Sequence, residues 1–194
     1  SIYFNFPKTF NGTLYNFNYI PRQLFYNDLS HFFSSKPDIT KIKNTFTTNI
    51  LDTNTLLNRI SFVPNEQIKP SEKGLKFTYT MWIFIRNTPE NAMWNNNYNF
   101  KKYIIKKNAS PDISYTPSKN TLNIDIAYKD ELNETSVHTT TVKNIKQQTW
   151  IHLGVVLNGK NINIFTNGQL SNSSDVPNVP FIYNKNLYFG DENN

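Results

Sequence analysis

Apolar and polar residues alternate along most of this chain, and the period of two recurs in segment after segment. From Trp150 to Leu170 (WIHLGVVLNGKNINIFTNGQL) one side of an extended backbone carries Ile151, Leu153, Val155 and Leu157. The other carries Trp150, His152, Gly154 and Val156. Two Asn-Gly dipeptides, Asn158-Gly159 and Asn167-Gly168, punctuate the run. Asn-Gly accepts the positive φ that two-residue hairpin turns require, so the stretch predicts a three-strand antiparallel meander turning at those dipeptides. Trp150 and His152 then share a strand face and read as scaffold.

The same period marks other strands. In Leu14–Tyr19 the aromatics fall on one face and the asparagines on the other. Phe77, Tyr79, Met81, Ile83 and Ile85 form one face of a strand whose opposite face, with Trp82 and Phe84, is also apolar, which predicts a central strand. Further strands are expected at Ile60–Val63 with Leu56-Leu57, at Tyr103–Ile105, at Leu122–Tyr128 and at Val137–Val142, with Leu187–Gly190 closing the sheet. One segment has a different rhythm: after Pro21, residues Phe25, Leu29, Phe32 and Phe33 share a helical face, with proline at the first turn. Many short strands and at most one short helix near the N-terminus predict an all-β, antiparallel β-sandwich. Residues 71–194 read as its core. Residues 1–70 read as an extension, partly strand, that either completes the sandwich or forms an arm.

Composition narrows the chemistry. At 194 residues the chain is long enough to bury a core of its own. It has no cysteine, which removes disulfides, thiolate metal sites and thiol catalysis. The net charge is +6, yet only three arginines occur, Arg22, Arg59 and Arg86, and asparagine is about a sixth of the chain. Arginine is the usual reader of guanine and phosphate, so the basicity reflects a lysine- and asparagine-rich coding bias and no nucleic-acid partner is expected. No apolar run approaches the roughly 18 residues of a membrane span, so membrane contact is expected only through a segment outside this sequence.

With the strands in this order, residues 74–192 resemble the laminin-G-like, concanavalin A-like jelly roll. The matching elements are Gly74–Ile83, Asn120–Ile124, Gln148–His152, Ile162–Leu170 and Leu187–Gly190. Val176-Pro177-Asn178-Val179-Pro180 resembles a subgroup encoded by large nucleocytoplasmic DNA viruses. The receptor-binding portion of clostridial neurotoxins is similar in its sandwich pattern and Asn-rich composition only. The viral resemblance implies a non-catalytic structural protein of the virion, in contact with other capsid or membrane-associated proteins. The alternative is a lectin-like attachment module for host glycans, extracellular or surface-exposed.

Each candidate for chemistry has a plainer structural role beside it. Glycanases of this fold need a pair of carboxylates, and Asn123-Ile124-Asp125-Ile126-Ala127 carries one, so no enzyme activity is expected. His31, His138 and His152 are the only histidines, and none has a serine in a nucleophile-elbow context. Trp94, Asn96 and Tyr98 combine an aromatic face with amides, the two groups a sugar needs, and are the candidate glycan site. Calcium, the usual ion of laminin-G-like domains, would require several oxygen ligands, for which Asp125 and Asp130 are the candidates; otherwise no cofactor is expected. Trp82, Trp150, His152, Asn158, Gly159, Asn167 and Gly168 are assigned to structure. The sequons at Asn11, Asn108, Asn133 and Asn172 are no more frequent than this composition produces by chance.

Overall fold

The computed structural model describes residues 12–34, 61–68, 75–86 and 99–190. Among the described residues eleven strands form two antiparallel sheets. The first sheet runs β1 (Gly12–Ile20), β3 (Lys76–Ile85), β8 (Trp150–Asn158), β9 (Asn161–Thr166), β10 (Gln169–Asp175). The second runs β2 (Ser61–Val63), β11 (Leu187–Phe189), β4 (Lys102–Lys106), β5 (Asp112–Thr116), β6 (Thr121–Lys129), β7 (Thr135–Lys143). The one described α-helix is α1 (Tyr26–Ser34), and among the described residues no helix is long and apolar enough to cross a membrane.

The core lies between the sheets where the alternation places it. Phe77, Tyr79, Met81, Ile83 and Ile85 of β3 meet Ile151, Leu153, Val155 and Leu157 of β8, and face Ile105, Ile113, Leu122, Ile124 and Ile126 of the second sheet. Strands come from both sides of residue 70, since β1 pairs with β3 and β2 pairs with β11.

Several expectations are corrected. Leu187–Phe189 does not close the meander's sheet: β11 lies in the opposite sheet, between β2 and β4. The first turn is displaced by one residue. Asn158 pairs with Asn161, so Gly159 and Lys160 are the central residues and Gly159 alone has positive φ (62°). At the second turn Asn167 (φ 51°) and Gly168 (φ 77°) are both central, as expected. In β1 the period of two breaks at a register shift between Tyr15 and Asn18, so Leu14, Phe17 and Tyr19 all reach the core despite their odd spacing. Helix α1 starts five residues after Pro21, and Phe25 is exposed rather than on the packed face. The Phe32 side chain and the Leu56-Leu57 pair lie outside the described residues.

One strand had no counterpart in the pattern reading. β5 is five residues long and bounded by Pro111 and Pro117, too short for a period to stand out. Its polar residues, Asp112, Ser114 and Thr116, are buried rather than solvated.

Candidate functional site

Each sheet has an outer face, and the two differ. On the five-stranded sheet Thr78, Thr80 and Trp82 of β3 and His152 and Val156 of β8 are covered by α1 and the segment before it. Leu24 and Leu29 pack on Val156, Ile20 and Phe165. The Leu24 N–H donates to Thr78 Oγ1 at 3.1 Å, while that hydroxyl donates to the Arg22 carbonyl at 2.8 Å.

The outer face of the six-stranded sheet is polar and is the better candidate. Register aligns its side chains in two rows across the strands: Asp112, Asp125 and Thr139, then Tyr103, Ser114, Asn123 and Thr141. Lys101 Nζ donates to Asp125 Oδ2 at 2.6 Å, and Thr139 Oγ1 donates to Asp125 Oδ1 at 2.6 Å. Thr141 Oγ1 donates to Asn123 Oδ1 at 3.2 Å, and Asn123 Nδ2 donates to Thr116 Oγ1 at 3.0 Å. The aromatic flank of the face is Phe62 beside Tyr188 (ring centroids 5.7 Å apart) and Tyr103, over which Lys106 Nζ sits at 4.9 Å.

Asp112, which sequence reasoning passed over, stands directly opposite Asp125. Its Oδ1 accepts the Lys107 N–H at 2.6 Å. Burial raises its pKa, the Lys107 and Ala109 N–H groups oppose that, and Asp125 adds to it. Two carboxylates in unlike surroundings are the raw material of glycoside hydrolysis. Here Asp125 holds Lys101 and Thr139, Asp112 holds backbone N–H groups, and both are buried. The pair is therefore engaged internally, and Lys101, Tyr103, Thr139 and Thr141 form the more accessible rim around it. Ser114 Oγ and Thr121 Oγ1 are buried on this face with no hydrogen-bond partner among the described residues. Only the pairing of β5 with β6 shows this face; a strand that short carried too little signal.

A laminin-G-type family model, described as the concanavalin A-like lectin/glucanases superfamily, matches residues 61–194. The chain belongs to this superfamily. Among solved structures, the botulinum neurotoxin type G receptor-binding domain is similar at 16% identity and a TM-score of 0.41, over 61% of this chain and 32% of that one. The chain thus spans about a third of the length of that neighbour. No curated sequence matches.

Within this concanavalin A-like domain the candidate residues fall in different places. Trp94, Asn96 and Tyr98 lie outside the described residues; the described chain resumes at Asn99, two residues before the lysine that binds Asp125. Asp125 and Asp130 are not brought together. Asp125 is engaged within β6 as above, whereas Asp130 Oδ1 accepts the N–H groups of Leu132 and Glu134 and organises their turn. Among the described residues no group of three potential ligands surrounds a metal position. Trp82, Trp150 and His152 pack against aromatic neighbours of the five-stranded sheet. Trp82 and His152 are cross-strand partners with ring centroids 5.2 Å apart, and Trp150 packs on Phe84 at 5.5 Å. The Val176–Pro180 segment is anchored at both ends: the Val176 N–H donates to the Lys160 carbonyl, and Pro180 bridges to Tyr128. His138 Nε2 lies 3.1 Å from Ser174 Oγ, but that hydroxyl is also 2.6 Å from Thr140 Oγ1. The trio ties the edge strands β7 and β10 together across the sandwich.

Proposed function

We propose that this domain is a non-catalytic, lectin-like module that binds glycans at the rim of the polar outer face of the six-stranded sheet. The observation that carries the reading is the juxtaposition on that face of aromatic rings (Tyr103, Tyr188, Phe62) with the hydroxyls of Thr139 and Thr141 and the acid–amide floor beneath. Sugars present apolar ring faces and hydroxyl edges, and a site pairing rings with convergent polar groups suits both. Trp94, Asn96 and Tyr98 precede Lys101 and Tyr103 in the sequence and remain candidates on composition alone. Attachment of this kind implies an extracellular or surface location. A glycan array with and without calcium tests the reading. Binding that weakens at least tenfold in Tyr103→Ala or Trp94→Ala supports it; an array blank in both conditions sinks it.

A second reading places the domain in the virion of a large DNA virus, where it contacts capsid or membrane-associated proteins. It is supported by the resemblance of the Val176–Pro180 segment and by apolar side chains exposed at the sandwich margins, among them Leu132, Val137 and Leu170. Detection beside capsid subunits in purified virions, together with a blank array, would favour it over glycan attachment.

A further inference from the structure

The five-stranded sheet carries a second device, unrelated to the polar face. The ring of His152 is 2% exposed and sits against Trp82 and Phe33, with centroid separations of 5.2 Å and 6.1 Å. Phe33 belongs to the last turn of α1 and also stacks on Trp82 at 6.1 Å. Among the described side chains the helix rests on the sheet through few contacts. These are Leu29 and the preceding Leu24 on Val156 and Phe165, Phe33 on the aromatic pair and on Gly168, and the Thr78 hydroxyl that holds Leu24 and Arg22.

No counter-ion awaits a protonated His152 among the described residues. From α1 the ring meets Phe33; the helix's own charges are His31, exposed, and Asp28, which lies 3.6 Å from Arg22. From β3 it meets Trp82, flanked by Thr80 and Phe84. From the β9–β10 turn comes Asn167, whose Oδ1 accepts the His152 N–H at 3.0 Å. Burial lowers the imidazole pKa to about 4, so the ring is neutral at pH 7.

We propose that α1 and the aromatic box beneath it form an acid-sensitive latch: protonation of His152 undocks the helix and uncovers Trp82, Val156 and Phe165 while the two-sheet core stays folded. The core survives because Ile151, Leu153 and Val155 face the opposite side of β8, inside the large inter-sheet cluster. The helix yields first because its footprint is small, and local openings are governed by the contacts each unit makes. A depressed histidine pKa means that the undocked form binds the proton more tightly. Docking is therefore unaffected above the unperturbed value near 6.5 and is lost as pH falls towards 4, by roughly 100-fold in the opening constant at pH 4.

Amide hydrogen exchange of the full chain, corrected for the intrinsic pH dependence of exchange, tests the latch. Between pH 7 and pH 4 the opening constant of residues 26–34 is expected to rise roughly 100-fold, with β8 still protected. In His152→Gln the helix is expected to open equally at both pH values. Gly154→Leu, which drives a side chain into Leu29 (already 3.4 Å from a Cβ at that position), is expected to release α1 at pH 7. If α1 and β8 lose protection together, or the helix of His152→Gln is as acid-sensitive as wild type, the latch is overturned. Should His152→Gln not fold, imidazole NMR of the wild type decides: helix opening must track the titration of His152, and an imidazole titrating near 6.5 without helix opening refutes it.

Discussion

Lys107 at the end of β4 is a buried cation with no carboxylate partner among the described residues, and its behaviour with pH can be worked out. The side chain is 1% exposed. Its ammonium donates to the carbonyls of Lys185 (2.9 Å) and Tyr183 (3.0 Å) and to Asn65 Oδ1 (3.3 Å), so it ties two separate segments to the end of β4. Burial lowers its pKa from 10.5 to about 8. The folded protein therefore releases this proton near pH 8, whereas the unfolded chain keeps it to about 10.5. Stability should rise wherever the unfolded state binds more protons, which here is above pH 8. Between pH 7 and pH 9.5 the linkage relation makes the gain about 2 kcal/mol. That is an upper bound, because the three oxygen acceptors favour the charged form. Above pH 10 the sign reverses through Tyr79, whose phenol is held well above 10 by burial: the unfolded chain ionises first, and stability present below pH 10 is lost as pH rises further. Urea titrations of wild type and Lys107→Met at pH 7, 8, 9 and 9.5 are the assay. The wild-type midpoint should climb across this range, while the variant, which lacks this titration, should climb markedly less. Equal slopes in the two proteins would refute the reasoning, as would a wild-type midpoint that falls between pH 8 and 9.5.

The same geometry yields further expectations. Leu29→Ala should destabilise the docked helix by about 2–4 kcal/mol, read as early loss of α1 protection in hydrogen exchange, because Leu29 is the most buried of the helix's described side chains and packs on β8. Asp112→Ala should cost about 1–3 kcal/mol in denaturant unfolding by orphaning the Lys107 N–H. Asp112→Asn, which keeps an acceptor oxygen, should cost well under half of that. Gly168→Val should slow or weaken folding through its φ of +77° and the Phe33 ring 3.5 Å from the added Cβ, whereas Gly159→Ala, at φ +62° in open space, should carry the backbone strain alone. Chemical denaturation of that pair separates the two contributions.

Much of the scaffold is legible residue by residue. Alternation of Ile151, Leu153, Val155 and Leu157 against Trp150, His152 and Val156 is a property of the local backbone, and each residue faces the side it predicts. The meander, β3, β6 and β7 follow from the same period. The polar face was legible only by half: Asn123 and Asp125 were visible, but alternation assigns polar residues to solvent, and it cannot show that Asp112 and Ser114 stand opposite them. Nor could the pattern show that Lys107, one of four lysines around Tyr103–Ile105, is the buried one.

The sequence by itself thus determined the class of the protein, since period and turn chemistry act over a few residues and need no distant partner. Tertiary structure decided everything that depends on which strands meet: the placement of β11 in the opposite sheet, the bulge that brings Phe17 and Tyr19 to the core, and the helix resting on His152. Those outcomes come from closing long loops so that each sheet buries a complete apolar face. They are contests between whole-chain arrangements that no single segment records.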